Sequence, residues 1–132
     1  MDNINSIPFI YKVSASLTAA VGAVGSATLI MQADSRFELA MILATGGLTN
    51  ATEETLVAPN SFTVSIRDQT TGRDLMSGEI PQRVLAGNAF NGFAQKRGVI
   101  FEPQSNILFT FTNLTAAVNN ITVTLHGYKI IL

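Results

Sequence analysis

The chain has 132 residues, of which 47% are hydrophobic and only 13% are charged, and its formal net charge is −1. The length is that of one ordinary domain, and the charged share is about half the usual one. The absence of cysteine excludes disulfides and thiolate metal sites. No basic run indicates a nucleic-acid surface. A weakly charged surface rich in Thr and Asn is typical of β proteins that meet partners and atypical of a free cytosolic enzyme.

The N-terminus predicts a short arm, residues 1–8, followed by a single domain over residues 9–132. The arm MDNINSIP lacks the basic region that opens a signal peptide, and Pro8 delays entry into a strand. We expect such an arm to dock on a neighbouring subunit, with disorder as the simple alternative.

An uncharged run over residues 15–33 is long enough to span a membrane. Its hydroxyl and amide side chains, its two glycines and the lack of positive residues at its downstream end argue against a span. We therefore predict no membrane partner and assign the run to the end of one strand, a break at the two glycines, and the next strand.

Alternation of apolar and polar residues predicts strands along the rest of the chain. The alternation is clearest in SFTVSIRD, residues 61–68. Other strands are expected at residues 9–19, 26–33, 36–45, 73–81, 107–113 and 121–130, with a short one before Pro103. About eight short strands separated by Gly, Pro and Asn predict an all-β fold, a single antiparallel β-sandwich that is jelly-roll-like.

The stretch FELAMILATGG, residues 37–47, is apolar on both faces of its predicted strand. Its composition favours a helix, but its neighbours favour a strand that ends at Gly46 and Gly47 and is followed by a loop over residues 47–60. The predicted inward residues are Phe37, Leu39, Met41 and Leu43. The other face is expected to be covered by a neighbouring subunit, or by a loop of the same chain, at Ala40, Ile42 and Ala44.

No constellation of residues predicts catalysis, a metal site or a cofactor. His126 is the one histidine, and it lies on the polar face of the last predicted strand, where we expect it to bond a neighbour or water. No G-x-S-x-G motif accompanies it, and one histidine with scattered carboxylates is too few ligands for a metal. Three Asn-x-Thr acceptor patterns begin at Asn50, Asn113 and Asn120; we predict them to be turn and strand-edge residues.

Phe90 and Phe93 flank Asn91 and Gly92 in the least regular segment of the chain. An apolar pair at a loop tip can anchor a partner in a pocket, or it can plug one end of the sandwich. Together with the arm and the second face of the apolar strand, these residues complete the predicted partner contacts, which are Ile7, Pro8, Ala40, Ile42, Phe90, Asn91 and Phe93.

The segments FEPQSNILF, residues 101–109, and LHGYK, residues 125–129, resemble small β-sandwich virion proteins of tailed bacteriophages. Those proteins are capsid cement (decoration) proteins or minor head components. The resemblance implies a non-enzymatic protein, made in the host cytoplasm, that sits on the surface of an icosahedral head. It also implies the major capsid protein and further copies of the chain, as a homotrimer, as partners.

Two other functions remain open from the sequence. A lectin-like or receptor-binding module of a virion needs an exposed aromatic beside polar groups, for which Tyr11, Phe90 and Phe93 are candidates, with Asn88 and Asn91 beside the last two. A hydrolase is disfavoured, because one histidine and no cysteine leave few nucleophile–base pairs.

Overall fold

A computed structural model describes residues 6–49, 56–58, 61–82 and 93–131, with side chains for all of these except 49, 56–58 and 93–98. Within these ranges the chain forms strands, in order β1 (Ser6–Leu17), β2 (Val24–Ile30), β3 (Ser35–Thr49), β4 (Leu56–Ala58), β5 (Phe62–Asp68), β6 (Arg73–Asp74), β7 (Ile80–Pro81), β8 (Phe93–Phe101), β9 (Asn106–Asn113) and β10 (Val118–Ile131).

The strands pair into two antiparallel sheets with jelly-roll topology. Sheet A has the order β1–β10–β3, with β8 beside the first part of β3 and β4 beside its end. Sheet B has the order β2–β9–β5, with β6 and β7 beside the two ends of β5. Each sheet therefore interleaves early and late strands, as two Greek keys do. The predicted all-β sandwich is confirmed. The ten described strands agree with the predicted number of about eight if β6 and β7 are counted as one interrupted edge strand and the short β4 is not counted.

The core lies between the inner faces of the two sheets and is rich in phenylalanine. The Phe62 and Phe111 rings meet edge to face with centroids 5.6 Å apart, and Tyr11 and Phe37 do so at 4.9 Å. Such pairs stabilise a core beyond the area that they bury. In β5 and β9 every second residue is buried, so the predicted alternation of these strands is confirmed.

β3 changes phase at a β-bulge. Met41 pairs with His126 and Leu39 pairs with Gly127, so Ala40 has no partner on β10. An extra residue in one strand of an antiparallel pair shifts the following side chains to the opposite face.

Because of the bulge, the side chains that follow it lie on the face opposite to the predicted one. Phe37 and Leu39 precede it and lie in the core as predicted. The prediction for Met41 and Leu43 is wrong, because both follow the bulge and are only partly buried. Ile42 is buried in the core instead, so its predicted place on the outer face is also wrong.

β3 is longer than predicted, and the expected loop over residues 47–60 contains a strand. Gly46 and Gly47 continue β3 and pair with β4. Gly46 faces a buried Ser61 so closely that a Cβ there would lie 2.0 Å from the serine Oγ. The strand predicted over residues 73–81 is reduced to β6 and β7. β8 begins at Phe93, in the segment that was predicted to be irregular, and runs into the short strand that was predicted before Pro103.

β1 begins at Ser6, inside the predicted arm, and Ser6 pairs with Ile130. Pro8 is tolerated because β1 lies at the edge of the described part of sheet A, where one side of the strand needs no ladder hydrogen bonds. Of the predicted arm, residues 6–8 therefore belong to the sheet, and residues 1–5 lie outside the described residues.

The uncharged run over residues 15–33 is divided between β1, a turn with Gly22 at φ 89°, and β2. Among the described residues there is no helix with the length and apolar character needed to cross a membrane.

A buried lysine lies at the end of the sandwich where β10 finishes. Lys129 Nζ is 4.1 Å from the centroid of the Phe9 ring and 3.6 Å from Asp34 Oδ1, and it donates to Gln32 Oε1. The Ser35 hydroxyl donates to Asp34 at 2.9 Å. This hydrogen bond, and after it the charge of Lys129, lower the pKa of Asp34 below its ordinary value of 3.8.

The lowered pKa predicts a pH-dependent contribution of Asp34 to stability. A carboxyl whose pKa is lower in the folded chain stabilises the fold above its unfolded pKa, and this contribution is lost as the pH falls through the folded pKa. We expect Asp34→Asn to lower the denaturant midpoint at about pH 6 and to match the unchanged chain near pH 2. Equal differences at both pH values in denaturation curves would contradict this role.

Candidate functional site

A groove of about 640 Å³ crosses the outer face of sheet A at the β-bulge. Three strands contribute to its lining: residues 8–10 of β1, Ala40 and Met41 of β3, and residues 126–128 of β10. These strands are neighbours in the sheet, so the groove runs across β10, the central strand of the three.

The groove exists because two small residues meet at the bulge. Gly127 lets the backbone of β3 approach β10, since a Cβ there would lie 2.0 Å from the Glu38 carbonyl oxygen and 2.9 Å from Phe37 Cζ. Ala40, the extra residue of the bulge, adds only a methyl group. A depression therefore forms in a sheet face that would otherwise be flat.

Exposed and partly buried side chains around the groove form two rows across the sheet. In the first row, Ile10 and Met41 flank His126 on its two sides. In the second, Tyr128 lies between Pro8 and Glu38, and Ile100 of β8 pairs with Glu38. Ile10 is 56% exposed and Tyr128 is 44% exposed. We call this surface the outer patch; it consists of Pro8, Ile10, Glu38, Ala40, Met41, Ile100, His126 and Tyr128.

The polar groups of the outer patch are few and do not form a catalytic set. His126 Nε2 lies 2.9 Å from Thr124 Oγ1, so the predicted bond between this histidine and a neighbour is confirmed. Among the described residues, no three His, Cys, Asp or Glu side chains come together as a metal site would require. The groups that the outer patch presents to a partner are apolar side chains, the His126 imidazole, the Tyr128 phenol and the Glu38 carboxylate. Such a set can make contacts with another molecule.

The predicted partner contacts are found in different places. Pro8 and Ala40 line the groove, and Ile7 is exposed but does not line it. The side chain of Ile42 is in the core. The other three predicted contacts are not placed: Phe90 and Asn91 lie outside the described residues, and of Phe93 only the backbone is described, paired with Ile42.

Sequence reasoning missed Ile10, Met41 and Tyr128 as members of the site. A signal was available for Ile10, because it is the apolar residue on a face of β1 that otherwise carries Lys12, Ser14 and Ser16. An isolated apolar residue on the polar face of a strand is an ordinary surface feature. It becomes informative only when the pairing register brings similar residues beside it.

No protein-family model matches the chain, and no curated protein matches it. Solved structures that resemble it include the VP2 subviral particle of infectious bursal disease virus, with 9% identity, a TM-score of 0.37, and coverage of 95% of this chain and 38% of that one. Structures of the Gt and Gx strains of that virus show 10% and 12% identity, TM-scores of 0.36, and coverage of 98% and 95% of this chain and 37% of theirs.

The chain thus spans less than two-fifths of the length of these proteins. At these identities and TM-scores the likeness assigns neither a family nor a function. The resemblance to phage capsid cement proteins therefore stays a prediction.

Proposed function

We propose that this chain is a non-enzymatic structural protein of a virion, a capsid cement (decoration) protein. In this role it sits on the surface of an icosahedral phage head, binds the major capsid protein and associates with further copies of itself. The outer patch is the observation that carries the proposal, because a structural protein of this kind acts by burying surface against its neighbours.

The arrangement of the outer patch supports binding to another protein. Its apolar side chains come from four neighbouring strands and surround His126 and Glu38, and clustered exposed apolar surface marks interaction sites on soluble proteins. Its residues stand on strands whose other faces form the Phe-rich core, so little ordering is needed on binding, which favours affinity. The wide, open shape of the groove fits a protein surface better than it fits a small ligand, which is normally enclosed.

The fold and composition agree with this role. Double-sheet jelly rolls recur in viral capsid and lectin domains, although a fold alone does not decide function. Only 13% of the residues are charged, which suits a chain with much of its surface in contacts. Glu38 and His126 supply polar groups inside the patch that can fix the orientation of a partner.

A lectin-like module is the second candidate. Of its predicted aromatic contacts, Tyr11 is buried, and its hydroxyl accepts a hydrogen bond of 3.0 Å from the Gln32 N–H. Tyr128 is instead the exposed aromatic beside the groove, with His126 next to it. A glycan array in which Tyr128→Ala abolishes binding to a defined sugar would favour this function over capsid binding.

Co-sedimentation with shells assembled from the major capsid protein of the same genome tests the proposed function. We expect the chain to sediment with the shells and Ile10→Asp to weaken this binding by about 30-fold or more, because the change puts a charge into an apolar contact. Thr28→Asp is the matched control: Thr28 is exposed on an edge strand of sheet B, and its replacement should leave binding unchanged. A chain that stays out of the shell fraction, or equal binding by both variants, would overturn the proposal.

A further inference from the structure

Two apolar loops lie together at one end of the sandwich. The loop between β1 and β2 reads TAAVGA, residues 18–23, and the loop between β9 and β10 reads LTAA, residues 114–117. Val21 is 69% exposed, and Val24 and Leu114 are also exposed. We call this surface, residues 18–24 and 114–117, the apolar tip.

The two loops of the apolar tip are held in one arrangement by Asn113. Its backbone accepts from the Gly22 N–H and donates to the Ala23 carbonyl, both at 2.8 Å. Its side-chain amide donates to the Thr18 carbonyl in the first loop and to the Ala117 carbonyl in the second, both at 2.9 Å. The exposed apolar side chains therefore stand on a fixed backbone, which lowers the entropy cost of a contact made there.

Among the described residues, charge is distributed unevenly between the two ends of the sandwich. No charged side chain belongs to the described residues of the apolar tip; Glu79 lies beside it on the outer face of sheet B, where it accepts from Thr63 at 2.8 Å and from Thr112 at 2.7 Å. Residues 50–55, with Glu53 and Glu54, lie outside the described residues. The opposite end carries Asp34, Arg36, Asp68, Arg73, Asp74, Glu102 and Lys129.

We propose that the apolar tip is the surface through which copies of this chain meet around a symmetry axis. Close to such an axis every residue faces its own copies, so a charged residue there would meet the same charge and be repelled. Uncharged Ala, Val and Gly avoid this repulsion and let several chains converge. This surface would serve the proposed function, and its use rests on that function, which brings several copies of the chain together.

The chemistry of the apolar tip favours a second copy over a lipid surface. Proteins that enter the membrane interface do so with Trp, Tyr or Phe and with Lys or Arg on the flanks, and the tip has none of these residues. The tip comprises 11 residues, fewer than the roughly 20–30 residues per side of a standard-size interface. Its contact is therefore weak in solution and adds to the other contacts of an assembly.

Sedimentation over a range of concentrations tests the inference, with Val21→Asp and Ile30→Asp as a matched pair. Ile30 is 62% exposed at the other end of β2, so both variants place the same charge on an exposed apolar site. We expect the unchanged chain to associate as its concentration rises, Val21→Asp to weaken association by about tenfold or more, and Ile30→Asp to change it less than about twofold. A chain that stays monomeric up to about 1 mM, or equal effects of the two variants, would overturn the inference.

Cross-linking gives an independent readout, because the chain has no cysteine of its own. Under mild oxidation Val21→Cys is expected to form disulfide-linked pairs and Ile30→Cys to remain largely single. Equal cross-linking of both, or capture on phosphatidylcholine vesicles that Val21→Asp abolishes, would overturn the inference. If Val21→Asp associates like the unchanged chain while Ile10→Asp still loses shell binding, the tip inference fails and the proposed function stands.

Discussion

Gly127→Ala is expected to destabilise the sandwich by about 3 kcal/mol, the upper range for inserting a methyl group into well-packed surroundings. The added Cβ would lie 2.0 Å from the Glu38 carbonyl oxygen, and a backbone atom in a paired strand cannot rotate away as a side chain can. The strands would have to separate at the bulge. Denaturant unfolding measures this loss.

Gly78→Ala is the matched control for this change. A Cβ at Gly78 would meet no atom within 4 Å, so the variant should be unchanged or more stable by up to about 1 kcal/mol, through the reduced freedom of the unfolded chain. Equal midpoints for the two alanine variants would contradict the close approach of β3 and β10.

Asn113→Ala is expected to cost about 3 kcal/mol, because it removes four hydrogen bonds made by one fully buried amide. The side chain is fully buried. It donates to the Thr18 and Ala117 carbonyls, and it accepts from the Thr115 N–H at 3.0 Å and from the Thr115 hydroxyl at 2.8 Å. Loss of the side chain removes all four hydrogen bonds at once. Denaturant unfolding should show the loss together with weaker self-association, because the same residue shapes the apolar tip.

Asn106→Ala provides the comparison at the other end of β9. Asn106 is exposed as the first residue of that strand, and substitutions at such positions change stability by less than about 0.5 kcal/mol. An Asn113→Ala protein as stable as Asn106→Ala would show that the buried amide does not hold the two loops.

Strands with one apolar and one polar face could be predicted from the sequence. β5 and β9 alternate clearly, so both their positions and their buried residues follow from the residue pattern. β3 is apolar on both faces, so its residue pattern does not indicate which face is buried. The reversal after Leu39 depends on Gly127, a residue far along the chain that makes room for the bulge.

The outer patch depends on register in the same way. Ile10, Met41 and His126 are far apart in the sequence and become neighbours only because β10 pairs with both β1 and β3. A one-residue slip in either pairing would turn one of these side chains to the other face. Residues 18–24 of the apolar tip belong to the uncharged run over residues 15–33, which has the length of a membrane span. Its polar side chains and glycines argued against a span, and in the structure a turn with Gly22 divides the run.

We propose that the outer patch of sheet A binds the shell of a virion. An electron cryomicroscopy reconstruction of assembled capsid shells carrying this chain tests it most directly. We expect Ile10, Met41 and Tyr128 to be covered by the capsid protein and the charged end, with Arg36 and Glu102, to remain in solvent. A reconstruction in which the outer patch faces solvent while another surface contacts the shell would contradict the claim.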